Sequence, residues 1–155
     1  MLRRMLGAVV AATAMTLVVT PGPVAAVPAG AYAKPSADPL EGLTVHPEWG
    51  SITGQSGVLK RGCHKYGFSY SITPPEGIWA IEVFISGPGL NHLAASAFLD
   101  GFDPKTGTGR YKLCRVTTRY GNFTIDAKVS IDNGSGHITE GRLPGDTYRL
   151  RRPHR

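Results

Sequence analysis

The chain has 155 residues, a formal net charge of +6, and 20 glycines and 12 prolines that follow no repeat period. This length suits a single domain, and the composition excludes collagen-like and highly charged disordered chains. Glycine and proline separate short apolar runs, which is typical of strands joined by turns. We therefore expect one small globular domain.

The N-terminus carries the strongest single signal in the sequence. Arg3 and Arg4 precede an apolar run, residues 6–19, that carries no charge. A positive start, a short apolar stretch and small residues before a cleavage point define a secretory signal peptide. Residues 1–26 are predicted to be one, with Ala33 as the alternative last residue. The apolar run is short for a membrane anchor, which needs about 20 residues.

The predicted signal peptide leads to expectations for the rest of the chain. Residues 27–42 are predicted to form a flexible leader, residues 43–152 the folded domain and residues 153–155 a basic end. The mature protein is expected to be secreted and to have no membrane anchor. In an oxidising compartment an even cysteine count indicates bridges, so a Cys63–Cys114 disulfide is predicted. Its loop of about 50 residues would stabilise the fold by roughly 4 kcal/mol. The alternative, a redox or metal-binding thiol pair, usually has a much shorter spacing.

Apolar runs and turns alternate through the predicted domain. Residues 123–131 alternate apolar and polar side chains without a fault, which predicts a half-buried strand. The run 78–86 is apolar on both faces except for Glu82, which favours a central strand. For residues 93–102 a strand is preferred and a helical turn is the alternative. Further strands are predicted at 43–49, 64–73, 110–118, 137–139 and 147–151.

Turn chemistry separates these strands. Residues 73–77 contain Pro-Pro and Gly, and residues 132–136 contain Asn-Gly, which suits a type I′ hairpin turn. Seven or eight short strands with no convincing helix predict an all-β, antiparallel β-sandwich.

The order of three residues adds a family resemblance. Cys63 opens the strand before the Pro-Pro turn, Trp79 lies on the next strand, and Cys114 lies late on a strand before the final hairpin. This order resembles that of immunoglobulin-like domains over roughly residues 43–152, and it implies an immunoglobulin-like sandwich. Two features differ: Tyr111 stands three residues before the second cysteine rather than two, and Cys63 is out of phase with the apolar side of its strand. The chain is also similar to small exported bacterial proteins with a single disulfide.

Catalytic and metal-binding motifs are not apparent. The histidines are scattered, and none pairs with another at a spacing that suggests zinc, so no cofactor is predicted. Glu82 is a candidate acid, and the alternative is that it faces solvent opposite a lysine or arginine. Residues 100–109 are predicted to be a polar loop and are the candidate for a protease-inhibiting loop.

The remaining asymmetry is the positive charge near the C-terminus. Residues 142–155 carry five arginines (142, 149, 151, 152 and 155) and a single acidic residue, Asp146. Strand alternation places Arg149 and Arg151 on an outer face, with Arg152 beyond it, and arginine forks match carboxylate and phosphate oxygens. We therefore predict a secreted, monomeric, non-catalytic module that binds an anionic cell-surface polymer or protein, and we do not expect nucleic acid as a partner. The alternatives are a small secreted hydrolase whose carboxylate pair is not located and a secreted protease inhibitor.

Overall fold

The computed structural model describes residues 38–153. The predicted signal peptide, most of the predicted leader and the last two residues lie outside this range. Within it, one 3₁₀ turn at Pro47–Trp49 precedes the strands. The strands are β1 (Gly50–Gly54), β2 (Gly57–Val58), β3 (Cys63–Ile72), β4 (Ile78–Gly87), β5 (Leu90–Leu99), β6 (Thr106–Cys114), β7 (Gly121–Asp132), β8 (Ile138–Arg142) and β9 (Asp146–Arg151).

The strands form two sheets. The smaller sheet has the order β1-β3-β6, and the larger has the order β2-β9-β7-β4-β5, with β8 also paired to β7. Named strands pair in antiparallel fashion except β2 and β9, which are parallel. In immunoglobulin-like sandwiches, strands A, B and E share one sheet and strands C, F and G share the other. Strands β1, β3 and β6 and strands β4, β7 and β9 take those places, so the predicted all-β, immunoglobulin-like sandwich is confirmed.

The core forms where the two sheets face each other. Strand β7 buries alternate residues along its whole length, as its sequence predicts. Strand β4 lies between β5 and β7 and turns Trp79 inward, where the side chain is 2% exposed. From the smaller sheet, Phe68 and Tyr111 meet the same core. Burial of this apolar area, at roughly 25 cal/mol per Å², is the main force that holds the sheets together.

A tyrosine pair joins the two sheets inside this core. The hydroxyl of Tyr111 on β6 donates a hydrogen bond of 2.6 Å to the hydroxyl of Tyr148 on β9. Burial raises the pKa of Tyr111 to about 12 and also raises the pKa of Tyr148. Both side chains therefore remain neutral at physiological pH, and each satisfies a polar group that would otherwise be buried without a partner.

The predicted disulfide is present, but it differs from the immunoglobulin bridge. Cys63 and Cys114 are bonded and are directly opposite residues of the neighbouring strands β3 and β6. The bridge of antibody domains crosses between the sheets, from strand B to strand F. Here it lies within one sheet, and Cys63 is exposed. The out-of-phase position of Cys63 in its strand is the reason, because its side chain points away from Trp79 and the core.

Three local predictions differ from the structure. Strand 43–49 is replaced by a single parallel bridge at Val45 and the 3₁₀ turn, and β1 begins at Gly50. The β7–β8 hairpin forms, but its loop spans residues 133–137, with Gly134 and Gly136 both at positive φ, instead of a two-residue turn. At the end of the predicted leader, residues 39–42 form turns and Leu40 is buried.

Candidate anion-binding surface

One end of the sandwich collects cationic side chains from three parts of the chain. The amide of Leu59 donates to the carbonyl of Arg151 at 2.9 Å, so the residues after β2 lie beside the end of β9. The amide of Arg115 donates to the carbonyl of Gly62 at 2.8 Å, which adds the residues after β6. We call this surface the basic end. Its cationic residues are Lys60, Arg61, Arg115, Arg119, Arg149, Arg151 and Arg152.

The predicted arginines lie where alternation places them. On β9, the buried Tyr148 and Leu150 alternate with the exposed Arg149 and Arg151, and Arg152 is exposed just past the strand. The backbone amide of Arg149 donates to Ser56 Oγ at 3.0 Å, so the strand is held while the guanidinium remains outside. The predicted orientation is confirmed, and the binding role of these arginines stays a prediction.

An aromatic ring organises two of the guanidinium groups. The guanidinium carbon of Arg115 lies 4.2 Å from the Tyr120 ring centroid, and that of Arg152 lies 5.5 Å from it. A hydrogen bond with Arg115 and the nearby positive charges lower the pKa of the Tyr120 hydroxyl. Arg115 also donates to the Thr118 carbonyl at 2.8 Å. Guanidinium groups that are already stacked and hydrogen-bonded lose less conformational entropy on binding an anion than freely rotating ones.

A shallow depression runs along this surface. It has a volume of about 450 Å³ and is lined by Tyr120, Gly121 and residues 149–152. Because β7 begins at Gly121 directly opposite Leu150, the start of one strand and the end of the other form its floor. Arginine side chains from the end of β9 therefore form part of its walls.

The positive charge here is not neutralised by the protein itself. Residues 57–65, 110–122 and 149–153 contain no aspartate or glutamate. Across residues 38–153, the ion pairs made by lysine or arginine all involve Lys128. Lys65 and Lys112 even lie directly opposite each other on the outer face of the smaller sheet. Such like-charged neighbours destabilise a sheet unless an anion screens them.

Sequence reasoning about the C-terminus alone missed more than half of the cationic residues of this surface. It did not include Lys60, Arg61, Arg115, Arg119 or the Tyr120 ring, which lie in two segments far from the C-terminus in the sequence. A usable signal was present, because the predicted bridge brings the residues beside Cys63 and Cys114 together. Arg61 precedes one cysteine by two positions, and Arg115 follows the other directly.

The other candidate residues from the sequence contribute less to a functional site. Glu82 is half exposed on the outer face, opposite Lys128, with 4.0 Å between the Lys128 Nζ and a Glu82 carboxylate oxygen. This is the arrangement expected of a solvent-facing glutamate.

The loop predicted at 100–109 is shorter, because β6 already begins at Thr106. Among residues 38–153, His, Cys, Asp and Glu side chains form no group that would hold a metal, and no helix is long and apolar enough to cross a membrane.

A second polar cluster lies on the outer face of the larger sheet. Half-burial raises the pKa of Asp126, while Arg142 and His92 act to lower it. The Nε2 atom of His92 lies 3.4 Å from an Asp38 carboxylate oxygen, and its φ is +44°. A side chain on Gly145 would overlap the Asp126 carboxylate, so the backbone covers this group. The depression at the basic end does not include these residues.

Comparisons with known proteins add little to this geometry. No family model matches the chain, and no curated protein matches it. Among solved structures, it is similar to the CARDB domain of a Pyrococcus furiosus protein, solved in complex with di-metal ions. The identity is 16%, the TM-score is 0.36, and the match covers 74% of this chain and 98% of that domain. The assignment of the sandwich rests on the strand order given above.

Proposed function

We propose that this protein is an exported, non-catalytic binding module whose basic end docks onto an anionic polymer outside the cell. The observation that carries the proposal is the convergence of unpaired cations at the basic end. Arginine forks with no internal carboxylate partner keep donors for phosphate, sulfate or carboxylate oxygens. The disulfide and the predicted signal peptide support the extracellular address.

The shape of the basic end favours an extended polyanion over a small anion. Its cations are spread over the ends of several strands and continue along the outer face of the smaller sheet through Lys65, Arg110 and Lys112. A single phosphate contacts only one or two forks, whereas a polymer engages many at once. The field of the whole surface also speeds the encounter with a negatively charged chain.

The test is retention of the folded protein on an immobilised anionic polymer, such as a sulfated polysaccharide. We expect strong retention at low salt and release at high salt, because the Debye length falls from about 10 Å at 0.1 M to about 3 Å at 1 M. Replacing Arg149, Arg151 and Arg152 with serine should shift elution to much lower salt. All three side chains are exposed, so the fold should be unaffected.

A charge-matched control separates a local site from net charge. The triple variant lowers the net charge by three, and the combination Lys105→Ser, Ser135→Asp and Thr139→Glu does the same with exposed residues at the other end of the sandwich. We expect this control to elute close to the parent. Equal losses in both variants would show that only net charge matters, and no loss in the arginine variant would refute the proposed site.

A further inference from the structure

The end of the sandwich opposite the basic end carries an exposed apolar surface. Phe102 is 87% exposed, Ile78 65%, Ile138 61% and Leu99 49%. We call these four residues the apolar patch. Single exposed apolar residues are ordinary, but a contiguous group marks an interaction site.

The sheet register explains why these residues lie together. On the larger sheet Leu99 is opposite Ala80. In the next row Ile78 is opposite Asp132, which in turn is opposite Ile138. The patch therefore extends over β5, β4 and β8, with Asp132 of β7 between Ile78 and Ile138.

Phe102 is held above these rows by a structured turn. The amide of Leu99 donates to Asp103 Oδ2 at 2.9 Å, and the amide of Phe102 donates to the Leu99 carbonyl at 3.2 Å. On the far side of the turn, the hydroxyl of Tyr70 donates to the Pro104 carbonyl at 2.9 Å. The ring is thus presented to solvent by a fixed backbone.

A depression of about 320 Å³ lies within the patch. Besides the patch residues, its lining includes Asp100, Ser130 and Asp132. Ligand pockets begin at about 300 Å³, so the depression is large enough for one aromatic or large aliphatic side chain with part of its backbone. It is an apolar hollow with a few polar groups at its rim.

The charges around the hollow determine which residues can flank the side chain that fills it. No lysine or arginine lines the hollow, and its charged residues are the two aspartates. Neither Asp100 nor Asp132 forms an ion pair within residues 38–153. An apolar group with a positive charge beside it complements this arrangement, and a carboxylate beside it would be repelled.

We propose that the apolar patch binds a segment of a partner protein in which an aromatic or large aliphatic residue is flanked by lysine or arginine. The apolar residue fills the hollow, and the flanking cations face Asp100 and Asp132. This interaction is independent of the basic end, which lies at the opposite end of the sandwich.

The test uses blocked tripeptides as probes and NMR amide shifts of the mature protein as the readout. Lys-Phe-Lys should shift the amides of Ile78, Leu99, Phe102 and Ile138 in a saturable way at millimolar concentration. Glu-Phe-Glu tests the sign of the charge, and Lys-Ala-Lys tests the need for the apolar side chain. Both should bind at least about tenfold more weakly, since a lost contact of about 1.4 kcal/mol is a factor of ten.

Variants connect the shifts to the named residues. Phe102→Ser with Ile138→Ser should abolish binding, and Asp100→Asn with Asp132→Asn should weaken Lys-Phe-Lys while removing the penalty for Glu-Phe-Glu. Val116→Ser, at a residue 91% exposed near the basic end, is the control and should bind like the parent. The arginine-to-serine variant of the basic end should also bind like the parent, so failure of polymer retention leaves this result intact.

Three outcomes would overturn the proposal. One is the absence of saturable shifts with Lys-Phe-Lys, and another is equal binding of Glu-Phe-Glu. The third is concentration-dependent self-association that Phe102→Ser with Ile138→Ser removes, because the patch would then bind a second copy of this chain. Sedimentation of the parent and of this variant distinguishes that case.

Discussion

Tyr111 and Tyr148 are the residues whose chemistry is most altered by the fold. On its strand, each tyrosine alternates with exposed residues, so the sequence pattern indicates that both side chains point into the core. Their contact could not, because it depends on how the two sheets are set against each other. Only the structure shows that one hydroxyl donates to the other across the core.

This pair predicts a loss of stability in alkali. Burial raises the pKa of Tyr111 to about 12 and also raises that of Tyr148, whereas an unfolded tyrosine has a pKa of about 10. The folded state therefore retains its protons while the unfolded state loses them, so stability is full below about pH 10 and falls as the pH rises toward about 12. Denaturant unfolding curves across this range should show the decline.

The control is the double variant Tyr111→Phe with Tyr148→Phe. It removes both buried hydroxyls, so its stability should fall less steeply with pH. Burial and the nearby Asp103 also raise the pKa of Tyr70, which leaves a smaller dependence in the control. Parallel declines in parent and control would contradict the assignment to the pair.

Among the structural elements, the disulfide-linked strands β3 and β6 give the clearest prediction. Replacing Cys63 and Cys114 with serine should lower the free energy of unfolding by about 4 kcal/mol, because a long loop is freed in the unfolded state. Since the bridge lies within one sheet, the contact between the sheets should survive. We expect a lower denaturant midpoint with an unchanged far-UV spectrum.

Two results would contradict this element-level prediction. An unchanged midpoint would mean that the bridge adds no stability, and a loss of cooperative unfolding would mean that it holds the sheets together. The serine pair also reports on the basic end, because the bridge anchors Gly62 beside Arg115. Its retention on the anionic polymer should therefore weaken even where it remains folded.

Strand periodicity accounts for how far the elements could be predicted. Strands β7 and β4 have long apolar patterns that are compatible only with a strand. Their observed bounds and burial therefore agree closely with those predicted from the sequence. The start of β6 was not predicted, because its Thr-Gly-Thr-Gly run has the composition of a loop. In the structure Gly107 and Gly109 lie opposite Tyr70 and Phe68. A side chain at Gly109 would overlap the Phe68 ring, and one at Gly107 would press tightly against the Tyr70 ring. Glycine belongs to this strand because a neighbouring ring covers it.

At the scale of the whole molecule, the sandwich separates its charges. The basic end holds the starts of β3 and β7 and the ends of β6 and β9. The opposite end carries Glu76, Asp100, Asp103 and Asp132, with Lys105 as a cation among them. Sequence analysis located the cationic tail but not this division, because the topology decides which loops share an end. The candidate site was therefore only partly predictable.

Processing is the prediction that belongs to the complete chain. We expect the exported protein to begin at Val27, or at Lys34 if cleavage follows Ala33, and to have two hydrogens fewer than the dithiol form. Intact mass measurement of secreted material checks both points. A product that retains its first residues and alkylates at Cys63 and Cys114 would contradict export and oxidation together.

The parallel pairing of β2 with β9 has a mechanical consequence. Gly57 and Val58 lie opposite Leu150 and Arg151, and the two strands run in the same direction. A pull on the N-terminal side of β2 and the C-terminal side of β9 would load their hydrogen bonds in shear, so that the bonds must break together instead of one after another. A pull on the two ends of the chain would first load β1, which precedes β2 and pairs with β3. Once β1 is released, the β2–β9 edge beside Arg149 and Arg151 would be the part that resists force.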